Sequence, residues 1–235
     1  MTTTAVLNSS AAAPEQRRTA PASGSQSSTL LLLHNVSWKT YECLLADFEN
    51  RSAPRLTYDR GILQIMSPRP EHEERNRTLA LLVEVFAEER SIVVRNLGST
   101  TFRREDIARG FEPDSCFYVQ NVGALGRVRQ IDLSVHPAPD LVIEIDVTHP
   151  SLDKFPLYAQ VGVPEVWRDD GTRVTIYVRG GDGYQEAESS RTFPDLTQAV
   201  LTEFVNSSEE LDRLMWLRTV RAWARRNAPA GTERP

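Results

Sequence analysis

One stretch constrains the fold of this chain more than any other: Leu141-Val142-Ile143-Glu144-Ile145-Asp146-Val147. Its near-continuous apolar character is that of a strand covered on both faces, as in the middle of an α/β sheet; a half-exposed strand would alternate. The interruptions carry charge. Glu144 lies inside the run, where desolvating a carboxylate is costly unless a cation or a hydrogen-bond donor compensates it. A charge retained against that cost marks a candidate site.

Side chains alternate across a strand, so Asp140, Val142, Glu144 and Asp146 share a face. At about 3.3 Å per residue, Asp140 lies about 13 Å from Glu144 and Asp146 about 7 Å. Asp140 is therefore set aside as a residue that orients the strand entry. Asp146 is kept as an auxiliary, a second-shell or second-metal contact. Asp114, behind Pro113, opens a separate β-prone run at 114–119 that can pair beside the first and bring two carboxylates together. Such a pair suits Mg²⁺, with Mn²⁺ as an alternative, because Mg²⁺ takes one or two carboxylates and leaves positions for water and a scissile phosphodiester. Lys154 follows as the cation to face phosphate.

The rest of the chain fits one domain with tails. Residues 1–28 are rich in Ser, Thr, Ala and Pro and are expected to be disordered, as are 228–235. A single globular unit spans 29–205, and an amphipathic C-terminal helix occupies 206–227, packed on the core or serving as an interface. Trp38, Tyr41, Leu44, Leu45 and Phe48 recur at helical spacing behind Ser37, a candidate N-cap. Asp59-Arg60-Gly61 reads as a hairpin turn. Leu79, Leu82, Val83 and Phe86 stand at i, i+3, i+4 and i+7 of a helix over 71–90, with His72 and Asn76 extending its face. Strands are expected at 92–94, 99–103, 114–119, 140–147, 163–167 and 173–178, and a helix at 153–161 closed by Gly162. Ser207 with Glu210 reads as a capping box for the last helix.

The net charge of −5 excludes a surface basic throughout, so nucleic-acid contact must come from a local patch. Arg103 and Arg104, with Arg109, Arg75 and Arg77, are the candidates. Cys43 and Cys116 stand apart with no pairing motif, which fits reduced thiols in the cytoplasm. No apolar run reaches membrane-spanning length. The final helix, with Trp216, Trp223 and several arginines, leaves a homodimer open, although packing of its apolar stripe on the core is the simpler expectation.

Glu112-Pro113-Asp114, Pro139-Asp140-Leu141-Val142-Ile143-Glu144-Ile145, Lys154 with Tyr158, and Gly162-Val163-Pro164-Glu165-Val166-Trp167 together resemble the Uma-type restriction endonuclease family of the PD-(D/E)XK nuclease superfamily. The resemblance runs over residues 38–204 and includes Asp59-Arg60-Gly61, Ser67-Pro68 and His72. It implies a restriction-endonuclease-like α/β core, a central mixed β-sheet flanked by helices, and Mg²⁺-dependent hydrolysis of DNA phosphodiesters. By the same resemblance Asp114 and Glu144 hold metal and Lys154 is a catalytic lysine displaced to the following helix; His72, at a helix N-terminus beside the sheet, is kept as an auxiliary. The superfamily pattern puts lysine two residues after Glu144, where this chain has Asp146. Two expectations follow: an active DNA endonuclease, or a nuclease-fold protein that no longer cuts and binds nucleic acid or protein.

Overall fold

The computed structural model describes residues 29–49, 51, 53–126, 128, 131–147, 153–181 and 183–226. The tails expected at 1–28 and 228–235 lie outside the described residues. β1 (Thr29–Leu33) leads to α1 (Trp38–Phe48), capped as expected by Ser37, whose hydroxyl accepts the Thr40 amide at 3.1 Å. β2 (Arg55–Asp59) and β3 (Ile62–Ser67) form the expected hairpin, with Arg60 and Gly61 at φ of 48° and 95°. Two successive positive φ values match the right-handed strand twist, and glycine takes the second without strain. α2 (Pro70–Glu89) starts at a proline whose missing N–H costs nothing in a first turn. Its Leu79, Leu82, Val83 and Phe86 are all buried, each stabilising by about 1.5–3 kcal/mol over an exposed position.

β4 (Arg95–Asn96), β5 (Phe102–Arg104), β6 (Arg109–Phe111) and β7 (Ser115–Tyr118) precede a short α3 (Val122–Leu125) and then β8 (Leu141–Ile145). α4 (Phe155–Val161), β9 (Glu165–Asp169), β10 (Val174–Gly180), β11 (Gly183–Glu186), α5 (Gln198–Glu210) and α6 (Arg213–Arg226) complete the order. Two sheets result. An antiparallel one runs β1-β3-β2-β6-β5, and a mixed one runs β11-β10-β9-β8-β7-β4, in which β8 and β9 are parallel. β8 is interior and covered on both faces, as its composition required. Leu141, Ile143 and Ile145 join a core with α2, α5 and α6, while Val142 packs with Phe102, Phe111, Leu157 and Tyr158 on the other side.

Three expectations need correction. The strand at 92–94 is absent: pairing falls on Arg95 and Asn96, opposite Tyr118 and Phe117, because β7 offers its edge only there. The strand at 99–103 is the shorter β5. Ser207 and Glu210 lie inside α5, and the cap of α6 is Asp212, whose carboxylate accepts the Met215 amide at 2.9 Å. A boundary at 205/206 therefore falls within a helix. α6 does pack on the core through Trp216, Val220 and Ala224, and its Arg221 and Arg225 pair with Glu89 of α2 at 2.8 and 2.7 Å. Among the described residues no helix is long and apolar enough to cross a membrane.

Candidate functional site

The antiparallel ladder pairs Cys116 with Val142 and Ser115 with Ile143. Asp114, one residue beyond the ladder, reaches the β8 backbone beside Glu144 through the Ile145 amide. Asp114 is 1% exposed. Its Oδ2 accepts the Ile145 amide at 2.7 Å and lies 3.2 Å from His72 Nε2, and its Oδ1 faces the Arg55 guanidinium in an ion pair. α2 also clamps the backbone here. Asn76 Nδ2 donates to the Asp114 carbonyl at 3.0 Å, and the Ser115 hydroxyl donates to Asn76 Oδ1 at 2.8 Å.

Glu144 receives its partners from α4. Lys154 Nζ donates to Oε2 at 2.7 Å, and the Tyr158 hydroxyl donates to Oε1. Lys154 and Tyr158 are four residues apart and so meet the strand from one helix face. Burial, and next the charge of Glu144, push the Tyr158 hydroxyl well above the ordinary tyrosine range, which keeps it a donor. Gly162, at φ 94°, ends this helix and returns the chain to β9.

Burial, with the positive charges of Arg55 and Lys154, lowers the His72 pKa to about 4. The imidazole is therefore neutral at pH 7, and its contact with Asp114 is not an ion pair. Glu112, two residues ahead of Asp114, accepts the Leu56 amide at 2.9 Å and the Thr101 hydroxyl, and burial raises its pKa. Glu73 takes the far side of the Arg55 guanidinium.

Asp114, Glu144, Lys154 and His72 are thus brought together, and the other candidates are not. Asp140 orients the strand entry: it accepts the Val119 amide at 2.7 Å, the Asn121 amide at 3.0 Å and Asn121 Nδ2 at 2.7 Å. Asp146 lies just past β8 and pairs with Arg168. Arg104 is engaged by Asp106 at 2.6 Å, whereas Arg103 is exposed. Arg75 and Arg109 leave the basic patch altogether. Arg75 is buried against Asp169 at 2.7 and 2.9 Å, and Arg109 against Asp59 at 2.8 Å, because each cation is needed where its element crosses another.

Sequence reasoning missed Arg55 and Glu73. The signal available was the unpaid charge of the acids, which demands a buried cation without saying which one. Two carboxylates from neighbouring strands supply the hard oxygens that Mg²⁺ takes; within the chain Asp114 is engaged by Arg55 and the Ile145 amide, and Glu144 by Lys154 and Tyr158. Among the described residues there is no group of three or more His, Cys, Asp or Glu side chains that could hold a metal ion.

The fold is nuclease-like. It resembles the crystal structure of a "putative nuclease belonging to DUF820" from Anabaena variabilis, with a TM-score of 0.50 and 17% identity, over 72% of this chain and 99% of that one. The chain belongs to the Uma2 family, described as "Putative restriction endonuclease", whose model matches residues 38–211. No curated protein matches it.

Proposed function

We propose that this protein is a Mg²⁺-dependent DNA endonuclease with Asp114, Glu144 and Lys154 at its catalytic centre. The observation that supports the reading is convergence: three charged side chains distant in sequence, none more than 14% exposed, meet at the ends of β7 and β8 in a family of restriction-endonuclease type. Mg²⁺ held by Asp114 and Glu144 would supply Lewis-acid polarisation of the phosphate and a lowered pKa for an attacking water. Lys154 stabilises negative charge gathering on the phosphorane, in a setting dry enough for that interaction to count. Tyr158 holds Glu144 Oε1, and Arg55 with the Ile145 amide holds Asp114, so neither carboxylate must reorganise. The test is cleavage of supercoiled plasmid with Mg²⁺. Asp114→Ala and Glu144→Ala should each slow it by about 10²-fold or more, and a rate equal to the parent in either variant overturns the proposal.

One observation favours a second reading, a nuclease fold retained only for binding. Asp146 stands where the superfamily has lysine and is neutralised by Arg168, leaving Lys154 to supply that charge alone. Calorimetric Mn²⁺ binding that disappears in Glu144→Gln would count against it.

A further inference from the structure

We infer that two copies of this chain associate through β1, edge to edge and antiparallel, so that their five-stranded sheets run on as one. The inference stands apart from the nuclease reading and concerns assembly. Its first support is a comparison of the four strands that end the two sheets, β1, β5, β11 and β4. β4 is Arg95-Asn96, β5 is Phe102-Arg103-Arg104, and β11 is Gly183-Tyr184-Gln185-Glu186. Each is short and carries charge, the usual protection of an edge against pairing with another chain. β1 is Thr29-Leu30-Leu31-Leu32-Leu33, longer than the other three and without charge, proline or bulge. Leu31, Leu32 and Leu33 are 46%, 44% and 38% exposed. A long apolar edge left open to water is a template for a further strand.

The second support is register. The two-residue turn Arg60-Gly61 is closed by the Asp59–Ile62 pair, which in hairpins of this kind exchanges both backbone hydrogen bonds. Alternation along β3 then turns the backbone groups of Ile62, Gln64 and Met66 toward β2, and those of Leu63, Ile65 and Ser67 toward β1. The β1 partners of the latter are Leu33, Leu31 and Thr29. Leu30 and Leu32 therefore point their N–H and C=O groups outward. A two-fold axis through Leu31 pairs Leu30 of one copy with Leu32 of the other, and each such pair exchanges both hydrogen bonds. Leu31 meets its own counterpart in the closer, non-hydrogen-bonded kind of pair. The strand is thus its own complement, leucine facing leucine along its centre. No Lys, Arg, Asp or Glu occurs between Arg18 and Lys39 to repel a second copy. The chain ahead of β1 is a poorer occupant, because Met1, Val6 and Leu7 are the only large apolar residues in its sequence.

Sedimentation velocity on the full chain over a micromolar concentration series tests the association. The expected species has twice the 26.5 kDa mass of one chain. Leu31→Lys, which sets two ammonium groups face to face on the axis and removes two buried leucines, should weaken the dimer at least about 100-fold. Leu214→Lys, at an exposed position in α6, should leave it unchanged. Leu31→Cys in a Cys43→Ser background, which removes the exposed native thiol, should give a covalent dimer under mild oxidation, since the Cα atoms of a non-hydrogen-bonded pair lie within disulfide reach. Leu33→Cys in the same background falls opposite Thr29 and should not. The cross-link reads the pairing without adding charge. A monomer at every concentration overturns the inference and leaves β1 to residues 1–28 or to a different protein. A dimer that survives Leu31→Lys, or equal cross-linking by the two cysteine variants, overturns it as well and moves the interface elsewhere.

Discussion

Replacing Arg55 with methionine removes the cation that faces Asp114 and leaves most of its aliphatic volume. The two side chains are 7% and 1% exposed, so the pair is almost fully withdrawn from water. Breaking a pair of that kind strands a buried charge, at about 3–5 kcal/mol. Asp114 keeps the amide hydrogen bond from Ile145, worth about 1.5–3 kcal/mol for a charged acceptor, which places the expected loss at the lower end of that range. The second partner, Glu73, is 32% exposed and adds less than about 1 kcal/mol. Arg55→Met should therefore lower unfolding free energy by about 3 kcal/mol in urea denaturation at pH 7. Adding Asp114→Asn should recover part of that loss, because the stranded charge is gone, so the double-mutant cycle should show coupling of at least about 1 kcal/mol. A loss below about 1 kcal/mol, or additive single effects, would refute the assignment of Arg55 as the counter-ion of Asp114.

Other substitutions probe the remaining arrangement. Arg75→Met should destabilise by about 3–5 kcal/mol, since Asp169 is 0% exposed, while DNA affinity measured below the melting transition stays at the parent value. A loss of affinity without a loss of stability would return Arg75 to the phosphate patch. Tyr158→Phe should cost about 1.5–3 kcal/mol at pH 7, and less in a Glu144→Gln background, by thermal or urea unfolding. Asp59 is held below the usual carboxylate range: burial opposes this, and the Arg109 and Arg60 contacts outweigh it. A depressed carboxylate stabilises above its unfolded pKa of about 3.9 and loses that contribution as pH falls through its folded value. Arg109→Met should thus flatten the stability profile below about pH 4 relative to the parent, and identical acid slopes would contradict it.

β8, the β2–β3 hairpin, α1 and α2 were legible because each is decided locally, by an unbroken apolar run, by Arg60-Gly61 at a turn, or by a 3.6-residue period. The burial of charge at Asp114 and Glu144 was legible for a related reason: an acid in or beside an apolar run is visible in one dimension. Partner choice was not. The two residues of β4 are a strand only because β7 lies beside them, and the division into two sheets depends on β6 pairing with β2 rather than with β7. Arginines were the least readable residues. Arg55, Arg75 and Arg109 look alike in sequence, and only the fold shows that each neutralises a particular acid while Arg103 stays exposed. Asp212 displaced Ser207 as a cap because α5 continues through the apparent capping box.

The central claim is that Asp114 and Glu144 form one metal site with Lys154 facing it. Anomalous diffraction from a crystal of the full chain grown with Mn²⁺ tests it most directly. The account predicts a peak about 2.1 Å from a carboxylate oxygen of each acid, with the Lys154 ammonium in the same cleft. A peak elsewhere, or none between Asp114 and Glu144 at saturating Mn²⁺, would contradict it.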